Sequence, residues 1–167
     1  GLYEKSRALE QGEPVSLQRM LLVRPASLGQ LAYAGLLLGL LVLFWLRAAD
    51  LLYALFFGLS PFPGAEDAFI NVLTTLRGWT LVFVGGIVGA LFASFAFALS
   101  LFAVPMMLDQ KRDALTAMGV SFAMTAQNLP VALAWGAIVA GGLVLSILTG
   151  LLGLAIVFPV LGHGTWH

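Results

Sequence analysis

The sequence has no cysteine among its 167 residues, only two histidines and few charges. Without a thiol the chain forms no disulfide, thiolate metal site or iron–sulfur cluster, and its redox compartment is left open. Lys and Arg together number 8, as do Asp and Glu, so the formal net charge is zero. No basic run exists, which argues against a nucleic-acid partner. Charged residues make up 10% of the chain, against about 25% in an ordinary soluble domain. A fold surrounded by water is therefore a poor fit. Also missing is the apolar/polar alternation, in segments of about 10 residues, that marks a transmembrane barrel.

What the chain does have is apolar bulk: 60% hydrophobic residues and a mean hydropathy of +1.00. Three tracts dominate, Leu31 to Leu59, Thr80 to Leu108 and Leu129 to Leu161. Each exceeds the roughly 20 residues that cross a hydrocarbon core. Lipid offers no partner to a bare backbone amide, so such tracts cross as helices. The fold expected is all-α, a polytopic helical membrane protein with about four transmembrane helices, two interfacial amphipathic helices and a possible parallel two-fold repeat, all in one membrane domain. The opening Gly1-Leu2-Tyr3-Glu4-Lys5 carries neither an initiator Met nor a signal peptide. We read the sequence as part of a longer polypeptide.

The arm to residue 27 is mixed and charged, and Ser16 can cap a short surface helix presenting Leu17, Met20 and Leu21 until Pro25 stops it. Candidate spans follow at 28–59, 79–108, 130–149 and 151–162, with a second surface helix at 114–128 showing Leu115, Met118 and Phe122 at helical spacing. Arg47 and Asp50 interrupt the first span. Either it ends near Trp45 and a separate segment follows, or one long helix continues with the two charges paired. Continuation is favoured. Ser60-Pro61-Phe62-Pro63-Gly64 then breaks the chain ahead of a short amphipathic piece, Phe69 to Leu76. Gly150 and Gly153 are the expected break in the last tract, whose fourth span is short. Leu28-Gly29-Gln30 with Gly35, set against Leu129-Pro130-Val131 with Gly136, is what resembles a parallel repeat.

Few residues offer chemistry. His163 and His167 have the i, i+4 spacing of two metal ligands on one helical face. Their flanking glycines disfavour a regular helix, and no third ligand stands nearby, so interface anchoring is the better reading. Arg47 and Asp50 are opposite charges deep in an apolar tract, which marks either a self-neutralising structural pair or a functional site. Small residues recur at spacing four: Gly85, Gly89 and Ala93; beside them Gly86, Ala90, Ser94 and Ala98; later Gly142, Ser146 and Gly150. Such rows let helix backbones approach closely, within the chain or against another subunit. Phe44, Trp45, Tyr53, Phe56 and Phe57, with Phe92, Phe95, Phe97 and Phe102, face lipid, quinone or pigment. No nucleophile and base pair, phosphate loop or carboxylate cluster occurs, so neither an enzyme nor a bound cofactor is expected.

Three stretches carry a resemblance: Tyr3-Glu4-Lys5-Ser6-Arg7-Ala8-Leu9-Glu10-Gln11-Gly12-Glu13-Pro14; Leu108-Asp109 with Asp113-Ala114-Leu115-Thr116-Ala117-Met118; and Pro159-Val160-Leu161-Gly162-His163-Gly164-Thr165-Trp166-His167. They resemble a mostly proteobacterial family of integral membrane proteins without an established activity, some members of which carry the label of a cytochrome c oxidase subunit. The resemblance implies an accessory chain beside an oxidase-type complex, since a haem–copper centre needs several converging histidines. The function expected is a non-catalytic accessory subunit or assembly factor of an inner-membrane respiratory complex, partnered by lipid and other subunits. The alternative is a stand-alone small-molecule or lipid transporter with a site near Arg47 and Asp50. Lys5, Arg7, Arg19 and Arg24 in the arm, with Lys111 and Arg112, put both termini in the cytoplasm by the positive-inside rule.

Overall fold

The computed structural model describes residues 28–58 and 64–164. The arm helix expected after Ser16, the Ser60 to Pro63 break and His167 lie outside them. Every regular element among the described residues is a helix: α1 Leu28–Phe57, α2 Ala65–Thr74, α3 Leu76–Ser100, α4 Ala103–Asp109, α5 Ala114–Gln127, α6 Leu129–Leu148 and α7 Leu154–Gly164. No strand occurs among the described residues.

Among the described residues three helical stretches are long and apolar enough to cross a membrane: Leu28–Phe57, Leu76–Asp109 (α3 and α4 together) and Leu129–Leu148. The fourth expected span is shorter than a crossing. Helix α7 has 11 residues and reaches about 16 Å at 1.5 Å per residue, half of a hydrocarbon core of roughly 30 Å. The first tract is one helix of 30 residues, with no break at Trp45. An Arg and an Asp three apart neutralise each other on one face and leave the backbone ladder intact. Gly58, at φ 77°, follows α1, and its amide donates to the Ala54 carbonyl at 2.8 Å, a left-handed cap that glycine adopts without cost. The segments resembling a repeat differ in length: α1 runs 30 residues where α6 runs 20.

By internal packing the described residues divide into two compact units, Gly35–Ala96 and a second made of 28–34 with 97–164. The second unit holds nearly all the buried side chains: Ala34, Ala98, Ala103, Met107, Ala114, Ala117, Met118, Ser121, Thr125, Ala132 and Ser146. Its centre is the packing of α4 on α5. The face α5 buries is Ala114, Ala117, Met118, Ser121 and Thr125; of the three apolar residues at helical spacing Met118 is inside, while Leu115 and Phe122 are exposed. In lipid, small residues gain close backbone contact while large apolar ones lose nothing by facing out.

The break between α3 and α4 has a local cause. Pro105 has no amide to offer the Leu101 carbonyl. Three residues earlier, Ser121 inserts into the ladder: its Oγ accepts from the Phe102 amide at 3.0 Å and donates to the Ala98 carbonyl at 2.7 Å. A fully buried hydroxyl thus replaces one helical hydrogen bond, a recognised origin of kinks.

The first turn of α5 is capped twice. Asp113 Oδ2 accepts from the Thr116 amide at 2.9 Å and from its hydroxyl at 3.1 Å. Gln30 Oε1, from the start of α1, accepts from the Ala114 amide at 2.9 Å. Both relieve amides that have no partner inside the helix. The Thr116 amide, then its hydroxyl, hold the Asp113 carboxyl below its usual pKa.

Helices α6 and α7 form a hairpin. Gly150 (φ 64°) and Leu151 (φ 69°) turn left-handed after Thr149. The Leu151 amide donates to the Ser146 carbonyl at 2.7 Å and the Gly150 amide to Ile147 at 3.0 Å, the paired bonds of a Schellman ending. Leucine in this conformation costs about 1–2 kcal/mol. The return of α7 along α6 offsets it: Val157 lies over Gly142, and Ser146 is fully buried beside Gly153.

Candidate functional site in the Gly35–Ala96 unit

The Gly35–Ala96 unit contrasts with this packing. Upper α1 and lower α3 leave an open groove of about 820 Å³ between them, lined among others by Trp45, Asp50, Tyr53, Gly58, Leu81 and Gly85. The helical period puts Trp45, Ala49, Leu52 and Tyr53 on one side of α1 and Leu81, Gly85 and Val88 on one side of α3. Glycine makes the floor. The Trp45 indole nitrogen sits 3.3 Å from where a Cβ on Gly89 would be, while a Cβ on Gly85 would meet nothing within 4 Å. The Tyr53 ring stacks on Phe57 at 5.0 Å between centroids, fixing its position.

Arg47 and Asp50 form the pair that their spacing implies. Nη1 donates to Oδ2 at 3.2 Å, with side chains 82% and 69% exposed. In water such a pair contributes about 0–1 kcal/mol. Its setting is different here. Helix α1 is about 45 Å long, matching the 40–45 Å of a bilayer with its headgroups, and centred there it holds Arg47 about 7 Å and Asp50 about 11 Å from the midplane. A lipid-facing pair at that depth lacks the hydration that makes exposed pairs inexpensive. The groove provides one carboxylate at its wall, an indole N–H, a phenol and apolar surface. Those groups suit binding of an amphiphile or of another helix.

The small-residue rows separate into used and open. In α6, Gly142 and Ser146 serve the hairpin with α7, and Gly150 lies beyond the helix in the turn. In α3, Gly89 receives Trp45, whereas Cβ atoms built at Gly85 and Gly86 meet nothing within 4 Å, and Ala90, Ala93 and Ser94 are exposed. Ala98 is buried. Of the aromatics, Phe97 touches the position of Gly136, and Phe44, Trp45 and Phe95 are exposed. His163 lies in the last turn of α7, which runs through both flanking glycines to Gly164, so the disfavoured helix is present there. Its imidazole is not among the described side chains.

Sequence reasoning missed Gly78. A Cβ at that position would collide with the carbonyl and Cα of Val72. Its amide donates to Thr75 Oγ1 at 3.0 Å, that hydroxyl donates to the Asn71 carbonyl at 2.6 Å, and the Trp79 indole donates to the Leu73 carbonyl at 3.0 Å. Together these lock the joint between α2 and α3. Gly78 was legible only as one more small residue, because the collision depends on how sharply the chain bends at Thr75. Ser121 and Gln30 were missed for the same reason, each acting on a backbone group distant in sequence.

No curated protein and no solved structure matches the chain. A family model does match, over residues 1–109, a stretch holding the arm, α1 to α4, the charge pair and the open face of α3, and ending before the Pro159 to His167 motif. With 109 of 167 residues covered, the chain belongs to the family described as predicted integral membrane protein (DUF2189), whose function is unknown.

Proposed function

We propose that the protein is a non-catalytic accessory subunit or assembly factor of a larger membrane complex, held by helix packing in the bilayer. The observation that carries this reading is the open face of α3. At Gly85 and Gly86 a Cβ would meet no atom, and Ala90 and Ser94 continue the exposed row. Apolar side chains gain little by leaving lipid for one another, so a row of small residues is useful where another backbone comes close. The exposed Arg47–Asp50 pair supports the same reading, because a polar group on an adjacent chain would satisfy charges that lipid does not.

The resemblance to chains labelled as oxidase subunits makes a respiratory, oxidase-type complex of a bacterial inner membrane the proposed setting. Cations in the arm and at Lys111 and Arg112 favour cytoplasmic termini, and α7, turned back along α6, heads toward the side from which α6 starts. A stand-alone transporter around Arg47 and Asp50 has less support. Both charges lie on one helix and are largely exposed, whereas transport sites converge from several elements.

Purification from native membranes in a mild detergent tests the reading. The expected particle is larger than the chain alone and contains cofactor-bearing polypeptides with a haem absorption spectrum. Migration solely as a monomer or homo-oligomer would overturn it.

A further inference from the structure

We propose that α2 is an interfacial foot, lying in the boundary between headgroups and acyl chains with Phe69, Ile70 and Leu73 inserted into the lipid. Successive residues of a helix advance by about 100°, and α2 accordingly divides into three faces. Ala68, which is buried, and half-buried Val72 form the inner one, with Val72 against Gly78. Asp67, Asn71 and Thr74 form a polar, exposed one. Between them Phe69, Ile70 and Leu73 are 65%, 50% and 43% exposed, and exposed Glu66 begins the same side in the first turn. A short helix with a packed side, a wet side and a bare side that is apolar from Phe69 onward has the shape of an in-plane membrane helix.

Continuity with a membrane-spanning segment identifies the occupant of that bare side. Thr75 alone separates α2 from α3, the start of a 34-residue apolar stretch. The joint is stiff: Gly78 against the Val72 carbonyl, the Thr75 hydroxyl between Asn71 and Gly78, and the Trp79 indole on Leu73. Where α3 enters the bilayer, α2 is therefore held at the same boundary and cannot swing away. Exposed Leu76 and Trp79 extend the apolar patch across the joint, and Trp is enriched at that depth. The first turn of α2 carries Glu66 and Asp67 and its last turn no basic residue. Insertion is therefore driven by apolar area and needs no anionic lipid.

The absence of cysteine allows a direct test. Single variants Phe69→Cys, Ile70→Cys and Leu73→Cys, with Asp67→Cys and Asn71→Cys as references, are labelled with a nitroxide in the purified protein in pure phosphatidylcholine vesicles. Collision rates are measured with molecular oxygen, which concentrates in lipid, and with a water-soluble nickel chelate. The expected oxygen-to-nickel ratio is several-fold higher at 69, 70 and 73 than at 67 and 71. Equal nickel access at all five positions would overturn the proposal by putting the face in water. Shielding of 69, 70 and 73 from both reagents would overturn it by putting protein there, whether a second copy or another part of the chain. The purified protein carries no partner complex, so the outcome is independent of the accessory-subunit reading.

Discussion

The two compact units manage the same apolar composition in opposite ways. The unit made of 28–34 and 97–164 buries small residues and single hydroxyls against backbone, with Met107, Ala114, Ser121 and Ser146 almost without exposed surface. Gly35–Ala96 consists of two long helices and a short one whose large side chains face outward, with Leu51, Leu55, Phe83 and Leu91 all exposed. In water the second arrangement would be unstable. In lipid the difference teaches something narrower: burial no longer measures stability, and the closest packing among the described residues is found where the chain makes a defined bend, cap or hairpin.

Substitutions at glycine break this comparison most sharply. Gly153→Val places a side chain on the Ser146 Cα, 2.9 Å from the Cβ position, where backbone cannot yield. We expect a loss of about 3 kcal/mol, near the upper end for overpacking, read as a lowered melting midpoint in detergent. Gly78→Val tests the tightest glycine of the open unit, and the α2–α3 joint is expected to fail with a similar loss. Next in size is Ser121→Ala, which strands the Phe102 amide and the Ala98 carbonyl. The cost is about 1–3 kcal/mol, with faster hydrogen exchange at Phe102 as its local signature.

Gln30→Leu removes the cap on the Ala114 amide, with an expected loss of about 1 kcal/mol. Asp113 gives a pH dependence. Its folded pKa is depressed by Thr116, so its contribution is complete above the ordinary carboxylate value and is lost as pH falls through the lowered one. Asp113→Asn is expected to flatten the acid limb of the melting curve, and an unchanged limb would refute the cap. The smallest effect belongs to Gly86→Leu, which meets open space and is expected to stay within about 0.5 kcal/mol in the isolated protein.

Much of the fold was legible because lipid imposes a coarse rule. Runs of apolar residues longer than a core become helices, and Gly150 with Gly153 ends one as glycines do. The Arg47–Asp50 pairing followed from spacing alone. Depth and face were harder. The inward side of α5 is Ala114, Ala117, Ser121 and Thr125 around Met118, which the spacing of Leu115, Met118 and Phe122 does not show, because hydrophobic periodicity points to a core in water and to lipid in a membrane. The shortness of α7, by contrast, was visible: the fourth span was expected at only 151–162, and the helix runs Leu154–Gly164. Which small-residue row is used inside the chain was not legible at all, since Gly142 and Gly86 look alike until Val157 is found beside one of them.

The central claim is that the open face of α3 is covered by another membrane protein. Photo-crosslinking in native membranes tests it most directly, with the reactive side chain at Gly86 or Ala90 and, for comparison, at exposed Leu133 and Ile138 of α6. The expected result is a defined adduct with a different polypeptide from positions 86 and 90. Lipid adducts alone from all four positions would contradict it.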